Sequence, residues 1–200
     1  MSEENLTNRQ EIETSNTHMK RSIRNKNDKK LKKNNIFFDW ILPILIAVAI
    51  AFLINKFLIF KVKIPSGSME PTLNVGDRLF VTRVYEPQNL KEGDIVVFYS
   101  QELGKVLIKR LIGLPGDTVK IVGGNVFVNG KEIDQSYVKY PMSTYQEFKV
   151  PQGEYFFLGD NRANSYDSRF WKNPYIPAKD IMGKAVLKIY PFDDIEFLKR

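Results

Sequence analysis

One uninterrupted apolar segment constrains this chain more than any other feature. Residues 36–60 read IFFDWILPILIAVAIAFLINKFLIF, and the strongly polar side chains in them, Asp39, Asn55 and Lys56, lie near the two ends. A helix of this length spans about 37 Å, whereas the hydrocarbon core of a bilayer is roughly 30 Å thick. The segment therefore predicts a single transmembrane helix.

The charge before this segment predicts its orientation. Residues 20–33 carry one acid, Asp28, and eight basic side chains: Lys20, Arg21, Arg24, Lys26, Lys29, Lys30, Lys32 and Lys33. By the positive-inside rule we expect residues 1–35, a polar tail predicted to be disordered, to lie in the cytoplasm, and residues 61–200 to lie outside. Because the basic charge is local, the sequence does not indicate a nucleic-acid-binding face.

Two alternatives for the apolar segment are a cleaved signal peptide and a buried core helix. Ala47-Val48-Ala49 is similar to a cleavage site, but the apolar run continues past it and the preceding polar region is unusually long. A core helix leaves the flanking basic residues without a role.

Residues 61–200 have the pattern of a β domain. Asn129-Gly130 between Val126-Phe127-Val128 and Lys131-Glu132-Ile133 predicts a hairpin, and no long helical periodicity is present. We expect a mainly β, antiparallel, barrel-like domain after one N-terminal transmembrane helix. The predicted strands are 78–84, 94–99, 106–111, 118–122, 126–128, 154–158 and 184–190.

Missing residue types restrict the chemistry of this domain. The chain has no cysteine, which excludes disulfides, thiolate metal sites and cysteine nucleophiles. Its one histidine, His18, lies in the N-terminal tail, so neither a Ser-His-Asp triad nor a site with two histidine ligands fits the β domain. If the protein is a hydrolase, its base must be a lysine or a carboxylate, and we expect no cofactor.

The first segment with chemical potential is IPSGSMEPT, residues 64–72. Pro-Ser-Gly-Ser predicts a tight loop in which Gly67 allows close approach of a ligand, and its hydroxyl and N–H groups can hold an oxyanion. Ser68 follows Phe60 by eight residues, at most about 27 Å of chain, which keeps it near the outer membrane surface. An ordinary Ser/Pro turn remains the alternative on these residues alone.

The second segment, VLIKRLIGLPGD at residues 106–117, places a lysine in a strand. Alternation puts Leu107, Lys109 and Leu111 on one face. If that face is covered, burial lowers the pKa of Lys109, and a neutral lysine can accept a proton from a serine hydroxyl. A lysine on a solvated strand face is the alternative.

The third segment, GDNRANSYDSRFW at residues 159–171, follows an apolar strand and carries two Asp, two Arg, two Asn and two Ser. Asp and Arg can form bidentate pairs that fix the loop, and a serine can hold a lysine amine. A metal site is the rival interpretation, but the neighbouring arginines repel cations, so we expect no metal.

Together, in this order after a single span, the three segments resemble the type I signal peptidases of bacteria, of the small single-span kind, over most of residues 40–195. The resemblance implies a serine endopeptidase with Ser68 as nucleophile and Lys109 as general base. It implies that Ser66 donates to the oxyanion and that Ser165 hydrogen-bonds the lysine. The supporting charged network it implies is Asp160, Arg162, Asp167, Arg169 and Arg110.

The same resemblance implies secretory preproteins as substrates, cut after a small-x-small pattern, with membrane lipid as the second partner. Shallow pockets are expected for the two small side chains, and the candidates to line them are Ile64, Met69, Leu73, Leu107 and Ile108. Two other interpretations remain: a self-cleaving Ser-Lys peptidase of the SOS-repressor type, which lacks its DNA-binding domain here, and a non-catalytic membrane-tethered β module that binds peptide or cell-wall material.

Overall fold

The computed structural model describes residues 13–21, 40–54 and 57–200. Residues 13–21 and 40–54 are helical, and neither of these two described helices is long and apolar enough to cross a membrane. The rest of the tail predicted to be disordered, and residues 36–39 and 55–56 of the predicted span, lie outside the described residues. The chain divides into two units, residues 1–54 and 55–200.

The second unit is built from short strands. They are β1 (Ile59–Lys63), β2 (Arg78–Arg83), β3 (Ile95–Ser100), β4 (Lys105–Gly113), β5 (Thr118–Val122), β6 (Asn125–Val128), β7 (Lys131–Glu132), β8 (Tyr145–Lys149), β9 (Glu154–Leu158), β10 (Tyr175–Pro177), β11 (Ile181–Tyr190) and β12 (Glu196–Phe197).

These strands form two antiparallel sheets. The larger has the order β1-β2-β11-β3-β4-β9-β10, with β12 added to β11, and the smaller has the order β7-β6-β5-β8. Within residues 57–200, β1 and β10 are end strands that do not pair with each other, so the expected barrel is wrong: the large sheet stays open. The expectation of a mainly β, antiparallel domain is confirmed.

The sequence located the central strands and missed the short or outer ones. All seven predicted strands are present to within a few residues, and Asn125–Val128 pairs with Lys131–Glu132 as the Asn129-Gly130 turn predicts. The predicted end of the apolar segment needs correction, because Ile59 and Phe60 already belong to β1 and pair with Thr82 and Val81. β1, β8, β10 and β12 were not predicted.

The register of β4 positions the site. Residues 105–110 of β4 pair with β3, whereas β9 pairs with β4 only at Arg110, Leu111 and Gly113. Because β9 ends at Leu158, opposite Arg110, the chain leaves the sheet beside Lys109. The first half of β4 therefore has an open edge, and the loop that follows β9 begins next to it.

Candidate active site

A cavity of about 380 Å³ lies between the turn that follows β1 and the first half of β4. Ser66, Gly67 and Ser68 line one side, and Lys105 to Lys109 line the other. Asn164 and Tyr166, from the loop after β9, complete the wall. The cavity thus brings together residues from all three segments that the sequence singled out.

Ser68 lies in a single 3-10 turn, Gly67–Met69. Met69 is fully buried and anchors the turn to the core, while Ser68 is half-buried and Ser66 is exposed. The Ser66 side chain caps no N–H of the turn. The buried Met69 side chain thereby holds the Ser66 and Ser68 hydroxyls at the cavity.

Lys109 is 3% exposed and lies opposite the buried Val96 of β3. Its Nζ donates to Ser165 Oγ at 3.1 Å. Burial lowers the pKa of Lys109 from 10.5 to about 8, because the interior penalises the ammonium form; the charge of Asp167 opposes this shift and that of Arg169 adds to it. At pH 7 a pKa of about 8 leaves about a tenth of the Lys109 amines neutral and able to accept a proton.

Gly159 packs against both the turn that carries Ser68 and the side chain of Ser165. A Cβ built on Gly159 lies 2.4 Å from the Ser68 carbonyl oxygen and 2.2 Å from Ser165 Oγ. Both separations are far below van der Waals contact, so no larger residue fits here without movement. The turn with Ser68 and the serine that holds Lys109 thus both pack into the space that a side chain at residue 159 would occupy.

Two buried ion pairs fix the loop. Arg110 donates to both oxygens of Asp160, at 2.9 and 2.7 Å, and Thr72 Oγ1 donates to the same carboxylate at 2.6 Å. Arg169 donates to both oxygens of Asp167, each at 2.8 Å. Both carboxylates are fully buried, so each depends on its arginine for charge balance.

Arg162 and Asp167 secure the start of the same loop through Gly159. Arg162 Nε donates to the Gly159 carbonyl at 3.1 Å, and the Gly159 N–H donates to Asp167 at 3.0 Å. Arg162 also donates to Gln135 at 2.5 Å. The charged residues named from the sequence are thus brought together around one backbone segment.

The five candidate pocket residues separate into two groups. Leu107 and Ile108 line the cavity. Ile64, Met69 and Leu73 are not among its lining residues and lie in the core cluster beneath the turn, where each is almost fully buried. Their apolar character serves the packing of the turn, a role that a sequence pattern does not distinguish from a pocket wall.

Sequence reasoning missed three residues of the site: Thr72, Gly159 and Asn161. Asn161 is buried and hydrogen-bonds the turn that carries Ser68, through its backbone N–H to the Ser68 carbonyl at 3.1 Å and through Nδ2 to the Gly67 carbonyl at 3.1 Å. A glycine, a threonine and an asparagine are common in loops. No local signal separates them from ordinary turn residues.

A lysine with a lowered pKa beside a serine is the arrangement of a hydrolase that works without histidine. Comparison with known proteins agrees: residues 37–190 match the family model described as signal peptidase, peptidase S26. The chain belongs to this family. It is a serine endopeptidase of the kind that removes signal peptides from secreted proteins.

Two relatives that share about 40% of their residues with this chain cover most of it. A probable signal peptidase I-2 of Synechocystis is 41% identical over 76% of this chain and 72% of its own length. A signal peptidase I P of Bacillus subtilis subsp. natto is 39% identical over 86% of this chain and 99% of its own length. A crystal structure of a signal peptidase I from Enterococcus faecalis is 31% identical, covers 48% of this chain and 96% of that chain, and has a TM-score of 0.43.

Proposed function

We propose that Ser68 is the nucleophile and Lys109 the general base of this peptidase. The observation that carries the proposal is a buried lysine with a pKa of about 8 that lines the same cavity as Ser68 and is held by Ser165. An ordinary lysine, with a pKa near 10.4, is almost fully protonated at neutral pH and cannot act as a base. Because burial lowers the pKa of Lys109, a fraction of this lysine is neutral at neutral pH and can act as a base.

The reaction follows from these groups. Neutral Lys109 takes the proton of the Ser68 hydroxyl, and Ser68 Oγ attacks the scissile carbonyl carbon. The protonated Lys109 then gives its proton to the leaving amine, which leaves an ester on Ser68. Lys109 next activates a water molecule that hydrolyses the ester and frees Ser68.

The negative charge on the tetrahedral carbonyl oxygen needs hydrogen-bond donors. We assign this role to the Ser66 hydroxyl and the Ser68 backbone N–H, which lie on the same wall of the cavity. The ion pairs of Asp160 and Asp167 keep the loop in place while charge develops, because they are buried and doubly hydrogen-bonded.

The substrate is proposed to bind as an added strand. The open edge of β4 at residues 105–109 lines the cavity, and an extended peptide can pair with it through main-chain hydrogen bonds. Alternate side chains of such a strand point into the wall, where Leu107 and Ile108 leave room for small groups. This supports a small-x-small pattern before the cut in secretory preproteins.

We further infer that the apolar segment from residue 36 to the start of β1 at Ile59 anchors the enzyme in the cell membrane, with the N-terminus in the cytoplasm and the catalytic domain outside. The support is the apolar run and the eight basic residues before it. Protease treatment of intact cells tests this orientation. Digestion of residues 61–200 with protection of the N-terminal tail is expected, and the reverse pattern would contradict it.

A cleavage assay on a purified secretory precursor tests the catalytic assignment. Ser68→Ala and Lys109→Ala should each reduce kcat/KM by at least a thousandfold. Lys109→Arg should be equally inactive, because arginine does not deprotonate near neutral pH. Lys120→Arg makes the same change at an exposed position of β5 and should leave cleavage unchanged. Normal cleavage by Ser68→Ala would overturn the assignment of Ser68 as the nucleophile.

A further inference from the structure

Two hydrogen bonds of Asn161 join the loop after β9 to the turn of Ser68, and a third lies within the loop. Its backbone N–H donates to the Ser68 carbonyl at 3.1 Å, and its Nδ2 donates to the Gly67 carbonyl at 3.1 Å. Its Oδ1 accepts from the N–H of Asn164 at 3.1 Å. The third bond fixes the carboxamide, so that Nδ2 can point only one way.

The bond to the Gly67 carbonyl orients a second group. In a planar trans peptide the C=O and the N–H point in opposite directions, and the Gly67 carbonyl shares its peptide plane with the Ser68 N–H. Holding that carbonyl against Asn161 therefore turns the Ser68 N–H away from the loop. Within residues 57–200 the Ser68 N–H has no hydrogen-bond acceptor, which leaves it available to a ligand.

The same carbonyl accepts a second hydrogen bond, from the Glu70 N–H at 3.2 Å. Two donors on one carbonyl polarise its peptide unit and make the attached N–H a stronger donor. Asn161 therefore affects both the direction in which the Ser68 N–H points and its strength as a hydrogen-bond donor.

We propose that Asn161 is a positioning residue for the oxyanion hole, which aims the Ser68 N–H at the carbonyl oxygen of the substrate through the Gly67 peptide. This inference rests on the proposed function, because it gives the Ser68 N–H a role only if Ser68 is the nucleophile. Asn161 touches no reacting atom. Its contribution appears when the tetrahedral oxyanion forms.

Asn161→Asp tests the proposal, since it retains the size, the backbone N–H and the acceptor for Asn164 but removes the donor to Gly67. We expect kcat to fall about tenfold to a hundredfold with KM within twofold, somewhat less than the loss of a whole oxyanion donor. Asn161→Ala, which adds no charge, should lose a similar amount. Asn125→Asp, the same change at an exposed position of β6, should be fully active.

Inhibitor binding separates this role from general loosening of the turn. A peptide aldehyde, which forms a tetrahedral adduct with the nucleophile, and the matching unreactive peptide alcohol are measured on the same preparation. In both Asn161 variants the aldehyde should bind about tenfold to a hundredfold more weakly and the alcohol unchanged. This difference does not depend on the fraction of folded enzyme.

Three results would overturn the inference: equal weakening of both peptides, unchanged binding of the aldehyde, or a loss confined to Asn161→Asp. The last result would show that the added charge acts on Lys109. Failure of the proposed function is recognised separately, by cleavage that persists in Ser68→Ala.

Discussion

The loop after β9 and the small sheet β5–β8 both pack on the large sheet, but they bury different groups. The loop buries Asp160, Arg162, Ser165, Asp167 and Arg169, all within ten residues. The small sheet contributes Val119, Ile121, Val126 and Val128 to a purely apolar cluster. The loop is therefore held by directional bonds that leave little freedom, whereas the small sheet is held by packing that tolerates change.

Glycine substitutions give the largest contrast. Gly159→Ala should reduce kcat/KM by more than a hundredfold and destabilise the protein by about 2–4 kcal/mol, because the added methyl overlaps the Ser68 carbonyl and Ser165. The methyl group added by Gly130→Ala in the β6–β7 turn meets no atom within 4 Å, so only the positive φ of this residue disfavours the substitution. It should cost about 1 kcal/mol and leave activity unchanged. Cleavage rates and thermal unfolding measure both.

The next contrast compares an ion pair with an apolar side chain. Asp160→Asn leaves the buried Arg110 without its counter-charge and should destabilise by about 3–5 kcal/mol, with a loss of activity. Ile121→Ala in the small sheet should cost about 2–4 kcal/mol by leaving a cavity, yet retain kcat in the folded fraction. Denaturant unfolding and kcat give the two quantities. Loss of kcat in Ile121→Ala would remove the distinction between the regions.

The smallest effect is a gain in stability at Lys109. Its pKa falls from 10.5 to about 8 on folding, so the folded protein binds fewer protons than the unfolded chain between these values. Below pH 8 the buried ammonium therefore destabilises the fold, and this cost disappears as the pH rises to 10.5. Lys109→Met should abolish cleavage and stabilise by about 1–3 kcal/mol at pH 7, with no gain near pH 10.5. Destabilisation at pH 7 would contradict a buried amine.

The sequence predicts these two regions unequally. Alternating apolar residues and Asn129-Gly130 suffice for β5, β6 and β7 of the small sheet, where Asn129 and Gly130 have the positive φ values that a two-residue hairpin turn needs. β8 alternates between exposed and half-buried positions and carries little apolar signal, so it was missed. An open sheet and a barrel have the same strand pattern, because closure depends on which strands pair.

For the site, the sequence predicted the reacting serine and lysine but not all the residues that hold them in place. With no cysteine and one histidine in the tail, a lysine or a carboxylate remains as the base, and the resemblance supplied the assignment of Lys109 and its partners. Asn161 and Gly159 act through the backbone, and their role depends on the approach of Ser68 from 91 or more residues away in the chain. The sequence around Gly159 and Asn161 does not indicate that Ser68 packs against them.

The pH dependence of kcat/KM on a soluble peptide substrate tests the central claim most directly. If neutral Lys109 is the base, kcat/KM should rise about tenfold per pH unit at low pH and level off above a pKa of about 8. A profile that levels off above a pKa near 4, as a carboxylate base gives, would contradict the account.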